Sequence, residues 1–158
     1  MASVPAKSNI RALVPPSRRN PLALDMRLTL LAMRRSLQDH LTFHGVRYPQ
    51  WVYLRALWLE DGISQYELSK RVARVEGNTV SLLKGLERDG LIERRRSATD
   101  KRSMNVFLTV AGRELEKQMY PGIKKAEQLA LTGVSARDVQ TFKQVMLAIR
   151  RNLGEATD

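Results

Sequence analysis

The most concentrated chemistry in this sequence lies in a short basic segment, residues 94–102. The segment contains one acid, Asp100, and five bases, which are Arg94, Arg95, Arg96, Lys101 and Arg102. Lysine and arginine bind phosphate oxygens, and arginine is also attracted into the negative minor groove of DNA. A charge run is equally typical of a solvated face, so its meaning depends on the elements that position it.

The overall charge agrees with a polyanionic partner. The 158 residues include 27 Lys and Arg against 16 Asp and Glu, a formal net charge of +11. Such a surplus favours nucleic acid first and an anionic membrane second. A hydrophobic fraction of 43% is typical of one folded domain with a real core. Because no apolar run has the length of a membrane span or signal peptide, we expect no membrane association.

The scarcity of reactive side chains limits the possible chemistry. There is no Cys and there are only two His. This excludes a disulfide scaffold, a thiolate metal site, a cysteine nucleophile and a thiol redox sensor. No Gly-rich phosphate loop, metal motif or nucleophile signature is present. We therefore expect no catalytic residues, no metal and no cofactor, with an enzyme as the weaker alternative.

Hydrophobic periodicity divides the chain into an arm and one domain. Residues 1–20 hold four bases and no acid, lack periodicity and are Pro-rich, which indicates an extended arm. The arm could reach a second subunit, touch DNA or serve only solubility. Residues 21–158 form the domain, with helices predicted over about 22–44 and 110–153. Between them, about 49–109, lie short helices and a hairpin.

The central region predicts a mainly α fold with a small β-hairpin, the winged helix-turn-helix. Pro49 opens a helix, and the pattern from Ser64 to Glu67 is a capping box that starts another. A further helix runs from about residue 78 to 89 with Val80, Leu83 and Leu86 facing inward. Two strands, 91–94 and 105–108, are joined by a long tip over residues 95–104. Thr109 then caps the next helix.

In this fold the second helix of the pair reads the DNA major groove, and the hairpin, or wing, contacts neighbouring backbone or minor groove. Ser64 and Gln65 begin the preceding helix, where Ser64 could cap the helix, bind phosphate or do both. The outward face of the reading helix carries polar and small side chains that can contact bases or phosphates. They are Asn78, Thr79, Ser81, Leu82 and Lys84.

The terminal helices carry apolar seams that one chain could not bury well. The first helix has a seam of Leu24, Leu28 and Leu31. The last helix has Val139, Phe142, Met146, Ile149 and Leu153, spaced alternately by three and four residues. This spacing is typical of helices that pack against a partner helix, and it predicts a dimer interface.

The ordered set of motifs resembles the multiple-antibiotic-resistance regulator (MarR) family of bacterial transcription factors. The resemblance covers roughly residues 24–153. It lies in PQWVYLRAL at 49–57, SQYEL at 64–68, TV at 79–80, LERDGLIER at 86–94, the wing pair Asp100 and Arg102, and VFLTVAG at 106–112.

The resemblance implies a cytoplasmic homodimer whose terminal helices interlock. It also implies binding to a pseudo-palindromic operator in double-stranded DNA, with Arg102 in the minor groove and Asp100 orienting nearby arginines. Repression relieved by a small ligand, often an aromatic acid, is the implied mode of action. The residues alone are also compatible with a winged-helix module that binds RNA or another protein and has no effector.

Five residues at the corner after the first helix are candidates for the effector pocket. They are His40, His44, Arg47, Tyr48 and Trp51. Aromatic rings beside a cation suit an aromatic carboxylate. Trp51 could instead belong to the core. The two histidines lie one helical turn apart, so they could also be surface or partner-facing residues, or bind metal, although no third ligand is evident.

Overall fold

A computed structural model describes residues 22–72, 79–97 and 102–154. The predicted arm, Asn78, Asp100 and Lys101 lie outside these residues. The mainly helical class with one hairpin is confirmed. The elements are α1 (Leu22–Phe43), α2 (Tyr48–Leu59), α3 (Gln65–Arg71), α4 (Thr79–Arg88), β1 (Ile92–Arg96), β2 (Met104–Leu108), α5 (Val110–Ala130) and α6 (Ala136–Asn152).

Local signals define the helix ends, including the predicted starts at Ser64 and Thr109. Three hydroxyls accept hydrogen bonds from the backbone N–H three residues on, and they belong to Ser64, Thr109 and Ser135. This satisfies one N–H that a helix start would otherwise leave without a partner. Gly45 and Gly90 follow α1 and α4 with φ of 69° and 70°, a backbone conformation that glycine adopts without strain.

The wing is an antiparallel hairpin whose register runs from Ile92 opposite Leu108 to Arg96 opposite Met104. Both strands extend further than predicted. The prediction that the tip begins at Arg95 is therefore wrong, because Arg95 and Arg96 have cross-strand partners. Beyond them, the Ser97 N–H still donates to a carbonyl across the hairpin, at Ser103.

A third extended segment, residues 62–64, forms hydrogen bonds between the wing and the helix pair. The Val106 N–H donates to the Ile63 carbonyl at 2.9 Å, and the Gly62 N–H donates to the Val106 carbonyl at 3.0 Å. Ser64 also forms an antiparallel bridge with Asn105. β2 is therefore hydrogen-bonded on both sides, to β1 and to the segment that leads into α3.

The core joins α2, the helix pair and the wing, and it reaches the adjoining parts of α1 and α5. Its fully buried members include Leu41, Tyr53, Leu54, Leu57, Leu68, Leu83, Leu86, Ile92, Val106 and Met119. The prediction that Val80 faces inward is wrong, since Val80 is 40% exposed. It lies in the first turn of α4, beyond the edge of the core. Leu82, expected to face outward, is half-buried and packs against the core beside Leu83 and Leu86.

The terminal helices leave apolar side chains exposed. Leu41 is the one buried residue of α1, and α6, which is described in full, buries none. Leu28 and Phe142 are 53% and 52% exposed. Within the described ranges, no helix is both long enough and apolar enough to cross a membrane.

Candidate nucleic-acid interface

The second helix of the pair, α4, presents a polar outer face. Ser81 and Lys84 are exposed on it, whereas Leu83 and Leu86 are buried on the opposite face. Thr79 behaves differently from these two. Its hydroxyl lies 2.7 Å from the Tyr53 hydroxyl of α2, so it is turned toward the protein.

At the start of α3, Ser64 caps the helix through a 3.0 Å bond from the Glu67 N–H. Gln65, the first helical residue, is half-buried. The other end of α3 is held by Arg71, whose guanidinium lies 2.7 Å from Glu60 and 3.4 Å from Glu67. The hydrogen bond to Glu60 raises the pKa of Arg71. Both ends of this helix are therefore fixed relative to α2 and the wing.

Arg94 begins the basic segment but is committed to an ion pair. Its Nη2 lies 2.5 Å from Glu87 Oε2, its Nε lies 3.0 Å from the same oxygen, and its backbone N–H donates to Glu87 Oε1. The hydrogen bond from Arg94 lowers the pKa of Glu87 against the opposing effect of burial. Only 19% of the Arg94 side chain is exposed. The pair joins α4 to the wing.

The remaining described bases of the segment lie further along the hairpin. Arg95 pairs with Glu93 on its own strand, and its guanidinium lies 5.2 Å from the centre of the Phe107 ring. Arg96 and Arg102 are exposed near the tip. The tip of the hairpin is therefore positively charged, while Glu87 holds the opposite end of the hairpin against α4.

Asp61, which the sequence reasoning missed, organises the other side of the wing base. One of its oxygens accepts hydrogen bonds from the N–H groups of Leu108 at 2.8 Å and Gly62 at 2.9 Å. The other oxygen binds the Arg113 guanidinium at 2.6 Å. The sequence shows this residue only as an acid before a turn glycine. Its role could not be predicted from that signal, because the strand that it binds lies 47 residues further along the chain.

A cavity of about 920 Å³ lies between α1 and α2 and extends to the end of α3. Its walls combine apolar side chains with four arginines. The lining residues are Arg27, Leu30, Leu31, Met33, Arg34, Leu37, Tyr48, Trp51, Val52, Arg55, Ala56, Leu59, Arg71 and Val72. The guanidinium of Arg34 lies 4.7 Å from the Tyr48 ring centre, and that of Arg55 lies 5.8 Å from the Trp51 ring centre.

Trp51 has an unusual feature for a buried residue. It is only 7% exposed, and its indole Nε1 has no hydrogen-bond partner among the residues that the structure describes. Buried N–H groups are nearly always satisfied, by protein, water or ligand. Trp51 is therefore a core residue whose side chain also forms part of the cavity wall, while its indole N–H is itself buried.

The other effector candidates lie elsewhere. The His40 Nε2 donates to the Met119 carbonyl of α5 at 2.8 Å, and its ring fills the space above Gly122. The His44 ring lies 4.8 Å from it, and burial, followed by the His40 charge, lowers the pKa of His44. Arg47 donates to the Gln50 side chain at the start of α2. Of the five candidates, only Tyr48 and Trp51 line the cavity.

Among the described residues, the histidine pair gains no further metal ligand from the fold. In the described ranges, no group of three or more His, Asp or Glu side chains is arranged to hold a metal ion.

Two helices held against a third, followed by a hairpin with a basic outer end, define a winged helix-turn-helix protein. Residues 46–104 match the sequence profile of the MarR family. Over the helix pair and the wing, the chain is therefore similar to MarR-family proteins.

Two curated relatives carry related sequences. The HTH-type transcriptional regulator TtmR of Methylorubrum extorquens is 35% identical over 108 residues, which are 65% of this chain and 55% of that protein. The chain thus spans about half of the length of this relative. The organic hydroperoxide resistance transcriptional regulator of Bacillus subtilis is 28% identical over 111 residues, 69% of this chain and 73% of that protein.

Solved structures agree on the fold. Apo MarR from Escherichia coli superposes with a TM-score of 0.69 at 22% identity, covering 84% of this chain and 98% of that one. Likeness at this identity supports the architecture alone.

Proposed function

We propose that this protein is a dimeric, sequence-specific DNA-binding transcriptional regulator, acting as a repressor that a small ligand releases. The observation that carries the proposal is the combination of α4 and the wing. Ser81 and Lys84 are exposed on the reading helix, and Arg96 and Arg102 are exposed on the hairpin next to it. The first pair suits base edges and phosphates, and the second suits the backbone or minor groove. Both curated relatives bear the name transcriptional regulator.

The roles of the arginines differ within this proposal. Arg94 is held by Glu87, so we assign it to positioning the wing. Arg96 and Arg102 supply the contacts to DNA. Thr79 is likewise directed toward Tyr53 and supports α4 from within. Asn78, Asp100 and Lys101 retain their predicted roles as a base reader, an orienting acid and a phosphate ligand.

The proposed dimer uses the apolar faces of α1 and α6. A helix such as α6, with no buried residue in one chain and with Phe142 half exposed, is stabilised when a second copy covers it. A two-fold dimer presents two reading helices, which fit half-sites about one helical turn apart. The operator is accordingly a pseudo-palindrome.

The proposed effector is an organic anion with an apolar body that occupies the cavity between α1 and α2. Apolar walls would contact the body, and Arg34 and Arg55 would attract the anion. Benzoate and salicylate are the first probes, because each joins a ring to a carboxylate. A ligand that raises the melting temperature of the wild type more than that of Arg34→Gln, which lacks the guanidinium charge, supports the site. An equal rise in both proteins contradicts the role of Arg34.

The experiment that tests the central proposal starts from a random-sequence duplex library. Duplexes that the protein enriches are sequenced, and their affinity is compared with that of a scrambled duplex and of a structured RNA by fluorescence anisotropy. We expect a preference of about a thousandfold or more for the enriched duplex. Equal affinity for all duplexes, or tighter binding of RNA, would favour a winged-helix module without an operator.

A further inference from the structure

The reading helix α4 is tied to α2 by one hydrogen bond at each end. At its first residue, the Thr79 hydroxyl lies 2.7 Å from the Tyr53 hydroxyl. Just past its last residue, Asp89 Oδ2 accepts from Gln50 Nε2 at 3.0 Å. On α2, Gln50 and Tyr53 are three residues apart, so their side chains project from nearly the same face of the helix.

Both α2 side chains are held firmly. Tyr53 is fully buried and Gln50 is 3% exposed. The Gln50 carbonyl oxygen also accepts from the Arg47 N–H at 3.0 Å and from the Arg47 side chain at 3.2 Å, which fixes the direction of its amide N–H. A buried polar group that loses its partner is penalised, so each bond strongly favours one arrangement of α4.

Apolar packing alone does not define that arrangement. Leu83 and Leu86 hold α4 at a given distance from the core, but apolar contact is not directional and allows rotation or sliding. Asp89 provides a directional bond that apolar packing cannot supply. It stands just past a helix C-terminus, where the helix dipole disfavours an acid; one of its oxygens accepts from the Gln50 amide and the other lies 3.4 Å from the Arg88 guanidinium.

We propose that Tyr53 and Gln50 are positioning residues that set the rotation and height of α4, and thereby its sequence selectivity, without touching DNA. The inference rests on the proposed function, because it assigns the reading of bases to α4. A reading side chain must meet its base edge within a fraction of an ångström. Loosening either end of α4 therefore weakens the correct contacts more than it weakens contacts to phosphate, which every sequence offers.

The test uses Tyr53→Phe, which removes one hydroxyl and keeps the ring, and Asp89→Ala, which removes the partner of Gln50 from a partly exposed position. Tyr120→Phe, at an exposed tyrosine of α5, is the matched control. Each full-length variant is titrated with the duplex that the wild type enriches and with its scrambled counterpart. The salt dependence of binding is measured alongside.

We expect each of the two variants to lose about fivefold in preference for the enriched duplex, while affinity for the scrambled duplex and the salt slope stay unchanged. Tyr120→Phe keeps the wild-type preference. If Tyr53→Phe and Asp89→Ala keep it as well, the inference is wrong and the proposed function stands. A uniform loss on both duplexes also contradicts it, since that reflects general destabilisation. If the wild type enriches no duplex, the proposed function itself fails.

Discussion

Glu87 of the reading helix and Arg94 of the first wing strand form an ion pair in which both guanidinium Nε and Nη2 lie within 3.0 Å of one carboxylate oxygen. The Arg94 backbone N–H donates to the second oxygen. The same carboxylate therefore fixes both the strand and its side chain. Because α4 orients the wing through this ion pair, it also sets the direction of the basic outer end of the hairpin.

This pair predicts an acid-sensitive contribution to stability. Arg94 lowers the pKa of Glu87 in the folded protein, so the contribution is present above the ordinary glutamate pKa and is lost as the pH falls through the lowered value. We expect wild type to exceed Glu87→Gln in free energy of unfolding at neutral pH and to lose this advantage in acid. Urea titrations over a pH series measure the difference.

The control for that series is Glu114→Gln, which breaks an exposed pair with Lys117 on α5. Exposed pairs contribute about 0–1 kcal/mol, so this variant should stay close to wild type. A difference between wild type and Glu87→Gln that is the same at every pH would contradict the role of the ion pair.

Arg102 tests the DNA contacts of the wing. Arg102→Ala should weaken binding to the enriched duplex and reduce the slope of log affinity against log salt by about 1, because one phosphate-neutralising charge is lost. Lys117→Ala, which removes an exposed charge from α5, should leave the slope unchanged. Anisotropy titrations at several salt concentrations give both slopes, and an unaltered slope for Arg102→Ala removes this residue from the interface.

Two glycines of the helical framework should respond oppositely to alanine. A Cβ at Gly85 of α4 would lie no closer than 3.9 Å to Gln50 Nε2, which is ordinary contact. A Cβ at Gly112 of α5 would lie 2.1 Å from the Leu91 carbonyl oxygen, which requires backbone movement. Gly85→Ala should therefore stabilise the fold by up to about 1 kcal/mol, the helix-propensity difference.

Gly112→Ala should destabilise the fold, because the backbone must move away from the Leu91 carbonyl, and this movement also displaces the Gly112 carbonyl that accepts from the Trp58 indole N–H. Thermal and urea unfolding measure both variants. A destabilised Gly85→Ala would mean that α4 needs the flexibility of glycine at this position.

The apolar seam of α6 predicts how dimerisation can be lost. Ile149→Asp places a charge among side chains that we expect a second copy to bury, and an unpaired buried charge is strongly unfavourable. Gln144→Asp places the same charge off the seam of the same helix. Analytical ultracentrifugation should find a monomer for the first variant and a dimer for the second. A dimeric Ile149→Asp protein at micromolar concentration would exclude this interface.

The sequence predicted those features that depend on neighbouring residues. The helix starts at Ser64 and Thr109 depend on hydrogen bonds to residues three positions further on, so they can be predicted from one turn of chain. The order of helices and hairpin followed from hydrophobic periodicity. The domain limits and the dimer remain predictions.

Contacts between distant segments could not be predicted in the same way. Asp61 accepts a hydrogen bond from the Leu108 N–H, which lies 47 residues further along the chain. His40 donates one to the Met119 carbonyl, which lies 79 residues further along. That second contact places His40 against α5, whereas Tyr48 and Trp51 line the cavity between α1 and α2. Val80 shows a related limit, because the period of a helix gives the direction of a side chain but not where the core ends.

The most direct test of the proposed function is a hydroxyl-radical footprint on the duplex that the wild type enriches, combined with the number of chains bound. A dimer with two reading helices predicts two protected patches, related by a dyad and about one helical turn apart, with two chains on each duplex. Protection that ignores sequence, or a single patch bound by one chain, would contradict it.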